Sequence, residues 1–326
     1  MPPAETARAF WVAGPGKGEI RQAPLAAAEG DAVTVRTRWS GISRGTETLV
    51  FAGRVPESEW SAMRCPFQEG RFPFPVKYGY AAVGEVEAGP ADRRGQTVFC
   101  LHPHQDRFTV PGDAALPVPE GVPARRAVLA ANIETAVNAL WDSPVLPGQR
   151  VAVVGAGVVG ASVARLAARV PGTSVVIVDL DPAKAALAPA LGCRFATPAE
   201  APQDCDAVFE ATGVPDGLVT ALGLAGREAT VTVLSWYGTA PVTTPLGAAF
   251  HSKRLTVRSS QVGQVAPSQR PRWTHRRRLG LALELLADEV FDRLLGEKTR
   301  FDDLPETMGR LSAGRGGGLC HLVHYP

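Results

Sequence analysis

The sequence lacks the features of disulfide-rich, zinc-ribbon and membrane-spanning proteins. Its five cysteines are scattered and form no CxxC pair, which argues against both a disulfide framework and a cysteine-rich zinc lobe. No apolar run approaches the ~20 residues needed to cross a bilayer, and no positively charged segment followed by an apolar one opens the chain. We therefore expect a soluble cytoplasmic protein with reduced thiols, and no membrane partner.

An excess of charge of one sign is also missing. The chain has 34 Lys and Arg against 32 Asp and Glu, a net charge of +2, which gives no general case for a nucleic-acid partner. Internal repeats and low-complexity tails are absent as well. What is present is length: 326 residues with 45% hydrophobic content can bury a substantial core and predict two domains.

The most informative stretch runs from Val151 to Asp179. The apolar run 151–154 predicts a buried strand, and it passes directly into the glycine-rich sequence 155–160. Helical spacing of apolar residues follows until Pro171, and residues 175–178 predict a second buried strand that ends at Asp179. This order of strand, glycine turn, helix, strand and acid predicts a dinucleotide site.

Each part of this motif has a physical role. Gly155 permits the tight turn, Gly157 allows the backbone to approach a pyrophosphate, and Gly160 allows the helix to pack closely on the strand. Asp179 can accept hydrogen bonds from the ribose hydroxyls and would repel a 2′-phosphate, while the next residue, Leu180, cannot hold one. NAD(H) is therefore favoured over NADP(H). The alternative to a dinucleotide is another Rossmann ligand, such as a methyl donor.

Periodicity divides the rest of the chain. Residues 1–123 alternate in short strands separated by Gly and Pro turns and predict a β-rich barrel or sandwich. Residues 124–288 combine helical stretches with buried strands and predict a doubly wound α/β domain with a parallel sheet. Residues 289–326 return to shorter elements. The fold class is therefore α/β, with a second, β-rich domain.

The chain resembles the medium-chain dehydrogenase/reductase superfamily over essentially its whole length. Four segments carry the resemblance: 40–47 (SGISRGTE), 78–80 (YGY), the glycine motif and 210–213 (EATG). Within this superfamily, the sequence GISRGTE is most similar to the zinc-lacking group that includes bacteriochlorophyllide dehydrogenase. The resemblance implies a GroES-like catalytic domain formed by residues 1–123 and 289–326, a Rossmann domain at 124–288, and a homodimer or homotetramer.

In zinc-dependent members of this superfamily, a cysteine, a histidine and a later acid or cysteine hold the metal. The matching positions here are Ser43, Tyr80 and Glu134, and a serine and a tyrosine are poor substitutes for thiolate and imidazole. We therefore expect neither catalytic nor structural zinc, so protein side chains alone must stabilise the substrate oxygen.

The resemblance places the candidate proton donors in a cleft between the domains. Tyr80 is a proton donor or a packing aromatic, Ser43 a substrate contact or a local cap, and His102 a general acid or substrate contact. Glu134 is a helix cap, a partner of Arg44 or a ligand of a substrate hydroxyl. Two nearby charged residues, Glu47 and Lys77, are expected to form ion pairs rather than take part in the chemistry. His104 is expected to be structural or solvent-facing.

Further contacts follow from the same resemblance. Besides Gly155, Gly157, Gly160 and Asp179, the cofactor is expected to contact Val158, Val159, Ala211, Thr212, Gly213, Ser235 and Trp236. Substrate contacts are expected from Arg44, Thr46, Trp236 and Tyr237, although packing explains the two aromatic residues equally well. The basic run 270–278 precedes an apolar helical pattern and is interpreted as a solvated loop, with an anion site as the alternative.

These observations predict a zinc-independent, NAD(H)-dependent oxidoreductase that interconverts a secondary alcohol and a ketone in a small-molecule substrate. A reductase of an activated C=C bond and a non-catalytic nucleotide-binding protein are the alternatives. Product analysis separates the first alternative, and cofactor binding without turnover would indicate the second.

Overall fold

The computed structural model describes residues 5–316 and 319–326. The chain divides into two compact units, Met1–Ala131 with Leu295–Pro326 and Asn132–Leu294, here called the catalytic unit and the nucleotide unit. The domain boundaries at residues 123 and 288 stay a prediction from the sequence. In the described part of the chain, no helix is both long and apolar enough to cross a membrane.

The catalytic unit begins with short strands and two helices, as its alternating pattern predicts. Its N-terminal elements are β1 (Thr6–Gly14), β2 (Lys17–Pro24), β3 (Val33–Ile42), α1 (Arg44–Phe51), β4 (Glu69–Gly70), β5 (Val76–Lys77), β6 (Ala82–Ala88), β7 (Thr97–Cys100), β8 (Arg107–Val110), β9 (Leu116–Pro117) and α2 (Ala124–Ala127).

The nucleotide unit alternates strands with helices, the arrangement expected for a parallel sheet. Its elements are α3 (Ala130–Asp142), β10 (Arg150–Val154), α4 (Val158–Ala168), β11 (Ser174–Val178), α5 (Ala188–Leu191), β12 (Arg194–Ala196), β13 (Cys205–Glu210), α6 (Pro215–Leu224), β14 (Ala225–Val233), α7 (Ala249–Ser252), β15 (Thr256–Ser259) and α8 (His275–Leu285). The first residues of α3 fall on the catalytic side of the division.

The chain then returns to the catalytic unit with β16 (Leu295–Arg300), α9 (Leu304–Ser312) and β17 (Cys320–His324). One sheet of this unit has the order β2-β1-β5-β4, and the other has the order β16-β17-β3-β6-β7-β9, with β8 also paired to β3. Strand β3 is central: it pairs antiparallel with β17, β6 and β8. Its C-terminal end leads into α1, which places residues 43–47 at this point of the sheet.

The nucleotide unit contains a sheet of order β12-β11-β10-β13-β14-β15, and each pair of adjacent strands in it is parallel. This is the strand order of a Rossmann fold. Strands β10 and β11 are buried except for their first residues, because helices cover both faces of such a sheet. The carboxyl ends of β10, β11, β13 and β14 therefore meet at one edge, where this fold binds ligands.

The structure departs from the sequence pattern at two points. The helical stretch that opens the predicted domain 124–288 forms two helices, α2 and α3, with a break at Val128 and Leu129, and α2 packs on β3 and β6 of the catalytic unit. The basic run does not precede its helix either: α8 begins at His275, with the Thr274 hydroxyl accepting from the backbone N–H of Arg277. Residues 276–278 therefore belong to the helix.

Candidate active site

The glycine turn joins β10 to α4, as the sequence predicts. A Cβ atom at Gly155 would lie 2.7 Å from the carbonyl oxygen of Ala211, and one at Gly160 would lie 1.9 Å from the carbonyl oxygen of Gly155. Gly155 also has a φ of 105°, in the region that disfavours residues with a side chain. Gly157 is the N-cap of α4. Only glycine at 155 and 160 permits this close approach of turn, helix and neighbouring strand.

Asp179 follows β11 and turns its carboxylate toward the glycine turn. Oδ2 accepts from the backbone N–H of Ala156 at 2.7 Å and from Lys184 Nζ at 2.9 Å, and Oδ1 accepts from the backbone N–H of Asp181 at 3.0 Å. Burial opposes ionisation, but these three hydrogen bonds outweigh it, so the pKa of Asp179 lies below its usual value. The side chain is therefore an anion at neutral pH.

Two loops at the ends of β13 and β14 are joined by hydrogen bonds. The buried carboxylate of Glu210 accepts from the backbone N–H of Thr212 through Oε1 and from the Tyr237 hydroxyl through Oε2, at 2.8 and 2.7 Å. The backbone N–H of Gly213 donates to Ser235 Oγ at 2.8 Å. The predicted cofactor contacts at 211–213 and 235–236 thus lie in one connected pair of loops. Sequence reasoning did not identify Glu210 as the residue that joins them.

In the catalytic unit, Tyr80 lies among hydroxyl groups. It is half-buried and lies near the side-chain hydroxyls of Ser43 and Thr46. Burial, followed by the negative charge of Glu47, raises the pKa of Tyr80 to about 12, although the two hydroxyls oppose that rise. Ser43 is the N-cap residue of α1, yet its side chain makes no capping hydrogen bond.

His102 lies in an aromatic stack. Its ring is 3.8 Å from that of Phe108 and 5.5 Å from that of Phe67, measured between centroids. Nδ1 contacts the carbonyl oxygen of Pro103 at 2.9 Å, and because a carbonyl only accepts, Nδ1 carries the hydrogen. Burial lowers the pKa of His102 to about 3, so the ring is neutral at neutral pH. Its predicted role as a general acid stays a prediction.

His104 is not solvent-facing: it is 1% exposed, because its ring lies between Glu47 and Ser40 inside the catalytic unit. Lys77 is also buried, where it is paired with Glu69. Arg44 is half-buried and donates to the carbonyl oxygen of Gly316 at 3.3 Å.

Glu134 lies on α3 in the nucleotide unit, where Oε1 accepts from Arg278 Nε at 3.0 Å. This pair was not anticipated, since Arg44 was the suggested partner. The interpretation of the basic run as a solvated loop is wrong for Arg278, which is 1% exposed. Its guanidinium is enclosed by Glu134, Asn138 and two backbone carbonyls.

Sequence reasoning also missed His321 on β17. Among the residues that the structure describes, no partner contacts its buried Nε2, and Nδ1 lies 3.9 Å from Glu297 Oε2. Burial and the charges of Arg310 and Arg44 lower the pKa of His321, although Glu297 opposes them. A histidine in a short apolar strand gives no signal of this kind in the sequence.

Zinc binding requires a set of suitable donor side chains close together. Over residues 5–316 and 319–326, the structure brings together no group of three His, Cys, Asp or Glu side chains suited to a metal ion. Of the positions predicted to match zinc ligands, Ser43 and Tyr80 offer hydroxyls in place of a thiolate and an imidazole, and Glu134 is engaged by Arg278. These residues do not fit zinc.

No protein-family model matches the chain. Solved structures do share its fold over nearly its whole length. A candidate zinc-binding dehydrogenase of Sinorhizobium meliloti, bound to NADP, is 18% identical, with 98% of this chain and 99% of that one covered and a TM-score of 0.77. An alcohol dehydrogenase of Escherichia coli CFT073, in complex with NADH, is 14% identical with the same coverages and a TM-score of 0.76.

2R,3R-butanediol dehydrogenase of Bacillus subtilis is 18% identical, again covering 98% and 99% of the two chains, with a TM-score of 0.75. At these identities the comparison shows the fold alone. The predicted fold class, a Rossmann sheet with a GroES-like β-rich unit, is confirmed.

Proposed function

We propose that this chain is an oxidoreductase of the medium-chain dehydrogenase/reductase superfamily that uses NAD(H), without zinc, to interconvert a secondary alcohol and a ketone. The observation that carries the proposal is the Asp179 carboxylate directed at the glycine turn. Ala156 N–H donates to it from the turn itself, so the acceptor for ribose hydroxyls and the turn for phosphates form one site. The shared fold with structures that hold NADP or NADH supports a nicotinamide cofactor.

The residues present fit a dinucleotide. The glycines of the turn have no side chains, so a phosphate can come close to the N-terminus of α4. The backbone N–H groups and the dipole at a helix N-terminus favour binding of a phosphate. Leu180, beside Asp179, is 81% exposed, and a large apolar side chain in that position suits the face of an adenine ring. The anionic state of Asp179 would repel a 2′-phosphate, and Lys184 is already paired with that carboxylate. These contacts support NAD(H) over NADP(H).

In this proposal, the Tyr80 hydroxyl meets the substrate oxygen. With a pKa of about 12, it holds its proton at neutral pH, as a donor to a carbonyl oxygen must. The Ser43 and Thr46 hydroxyls act in the sense that lowers this pKa, as donors to the phenolic oxygen would. The bound cofactor would supply or accept the hydride. In this state Tyr80 can act as the acid in the reduction of a ketone.

Substitution of Tyr80 by phenylalanine tests the proposal. We expect kcat for ketone reduction by NADH to fall by about 100-fold, the usual contribution of a positioned acid, while the Kd for NADH is unchanged. Tyr78→Phe is a matched control, because the Tyr78 hydroxyl donates to the carbonyl oxygen of Met63 and takes no part in the proposed chemistry. The assay panel includes ketones, secondary alcohols and 2,3-butanediol.

Normal turnover in Tyr80→Phe would refute the assignment of the proton donor. Product analysis with an enone substrate tests the reaction type, since a saturated ketone would indicate C=C reduction and an unsaturated alcohol would indicate carbonyl reduction. NADH binding without turnover over the whole panel would refute the enzymatic proposal and favour a nucleotide-binding protein. Metal analysis of active protein tests zinc independence, and one tightly held zinc per chain would overturn it.

A further inference from the structure

The carboxylate of Glu47 is buried in the catalytic unit and held from two sides. The side chain is 4% exposed and that of His104 is 1% exposed. Oε1 accepts from the backbone N–H of Ser43 at 2.8 Å, and Oε2 lies 2.8 Å from His104 Nε2. Because a carboxylate only accepts, Nε2 carries the hydrogen in this contact. Glu47 therefore joins the first residue of the α1 turn to a side chain 57 positions away in the sequence.

The contacts of His104 extend in two directions. Nδ1 lies 2.7 Å from Ser40 Oγ, which lies 3.0 Å from the Tyr325 hydroxyl, and all these groups are buried. The other direction is toward Tyr80: a Cβ atom at Gly79 would lie 3.0 Å from His104 Cδ2. The backbone directly before Tyr80 therefore passes against the imidazole. Gly79 also has a φ of 133°, which residues with a side chain rarely adopt. His104 thus contacts both the anchor of α1 and the segment that carries Tyr80.

From this geometry we propose that Glu47 and His104 are a positioning pair, which fixes the Ser43 end of α1 and the Gly79–Tyr80 backbone relative to each other. The inference rests on the proposed function, in which Tyr80 meets substrate. Neither member of the pair needs to touch substrate. Their effect is to keep the Ser43 and Thr46 hydroxyls at the phenolic oxygen, and small displacements of a reacting group are costly, up to about 100-fold for roughly 1 Å.

Charge and position make separable contributions. Glu47 raises the pKa of Tyr80, and so does Cys65. The other titratable groups near the pair lie on neighbouring elements. Burial raises the pKa values of Cys65, Tyr78, Cys320 and Tyr325, and the charge of Glu47 adds to each rise. His102 lies near both His104 and Lys77.

Two substitutions of Glu47 separate these contributions. Glu47→Leu removes both hydrogen bonds. Glu47→Gln keeps them without the charge: its carbonyl oxygen accepts from Ser43 N–H, and its amide donates to His104 Nε2 once the imidazole hydrogen moves to Nδ1. We expect kcat of Glu47→Leu to fall by about 10-fold or more and that of Glu47→Gln to stay within about threefold of wild type at neutral pH. The Tyr80 pKa should be lower in Glu47→Gln.

A double-mutant cycle with Tyr80→Phe distinguishes positioning from a general loss of stability. If Glu47 acts through Tyr80, Glu47→Leu costs less than about twofold in the Tyr80→Phe background. An equal cost in both backgrounds would overturn the inference, and so would a Glu47→Gln enzyme as impaired as Glu47→Leu. Asp106→Leu is the matched control, since Asp106 also accepts from one backbone N–H and one side chain, both of Arg8. It should leave kcat within about twofold.

Two further measurements keep the test decisive. If Glu47→Leu does not fold, His104→Asn breaks the same contact and carries the same expectation in the cycle. If the wild-type protein shows no turnover, the proposed function fails, and hydrogen exchange judges the pairing by itself. We then expect faster exchange at residues 43–47 and 79–80 in Glu47→Leu, but not in Glu47→Gln or Asp106→Leu. Unchanged exchange at these residues in Glu47→Leu would contradict the pairing.

Discussion

Replacement of Arg278 by methionine should destabilise the nucleotide unit far more than replacement of its partner, Glu134, by glutamine. Arg278 Nε donates to Glu134 Oε1 at 3.0 Å, and its two terminal nitrogens donate to Asn138 Oδ1 and to the carbonyl oxygens of Gln264 and Val262. Both charged side chains are almost fully buried, at 1% and 6% exposure. The pair attaches α8 and the segment before it to α3.

The two substitutions leave different groups without partners. In Glu134→Gln, the amide oxygen still accepts from Arg278 Nε, and the other hydrogen bonds of Arg278 remain, so we expect a cost of about 1 kcal/mol. In Arg278→Met, a buried carboxylate keeps no cation, which typically costs about 3–5 kcal/mol. For a unit of this size, that loss corresponds to a fall in Tm of roughly 6–20 °C.

The stability penalty of Arg278→Met should also depend on pH, in a direction that the pKa of Glu134 determines. Burial raises the pKa of Glu134 above its usual value, although the charge and hydrogen bond of Arg278 oppose the rise. A carboxyl group with a raised pKa binds its proton more tightly in the folded chain, so its contribution to stability is most favourable below the unfolded pKa and falls as pH rises through the folded one. Without Arg278 the pKa rises further, and the penalty of Arg278→Met should be larger at about pH 8 than at about pH 5.

Thermal and urea unfolding of the full chain measure these differences. Arg165→Met is the matched control: Arg165 donates to Asp288 Oδ2 at 2.8 and 2.6 Å in the same unit, but that pair is less buried and should be worth about 1 kcal/mol. A Glu134→Gln variant as unstable as Arg278→Met would refute the reasoning, because it would show that removing the charge of Glu134 costs as much as leaving that charge buried without a cation.

Two predictions concern the cofactor. Asp179→Asn keeps an acceptor but removes the charge that opposes a 2′-phosphate, so the ratio of the Kd for NADPH to that for NADH should fall by about 10-fold; an unchanged ratio in fluorescence titrations would contradict the proposed selectivity. Tyr237→Phe removes the 2.7 Å contact with Glu210 and should raise the Kd for NADH by about three- to tenfold with a stability loss of about 1 kcal/mol; a lower Tm with unchanged affinity would mean that the contact only stabilises the loop.

The central strands of the fold were predictable because their signal is local. Continuous apolar runs identify β10 and β11, and the glycines between β10 and α4 fix the connection. The edge strand β12 was missed because it has only three residues, and only one of them, Ala196, is buried. The break between α2 and α3 was missed for another reason: apolar periodicity continues across Val128 and Leu129, both fully buried, while α2 packs on β3 and β6 within its own unit.

The site was predictable to the extent that a motif keeps its residues adjacent. Ser43 and Thr46 lie three positions apart at the start of α1, and both hydroxyls act to lower the pKa of Tyr80. The contact between Glu47 and His104 was not predictable, because it depends on how β3 and the segment after β7 lie across the sheet. Arg278 illustrates the same limit: a run of arginines gives no indication of which one is buried and paired across 144 positions with Glu134.

Unused hydrogen-bonding capacity separates the candidate donors better than residue type does. His102 commits Nδ1–H to the carbonyl oxygen of Pro103, and Oε1 of Glu134 is committed to Arg278. The pKa of Tyr80, by contrast, is raised to about 12, chiefly by burial, so its hydroxyl keeps its proton at neutral pH. A proton can pass to substrate only from a group that still has one to give, so Tyr80 is the donor in the mechanism that we propose, whatever the sequence motifs around His102 and Glu134 suggest.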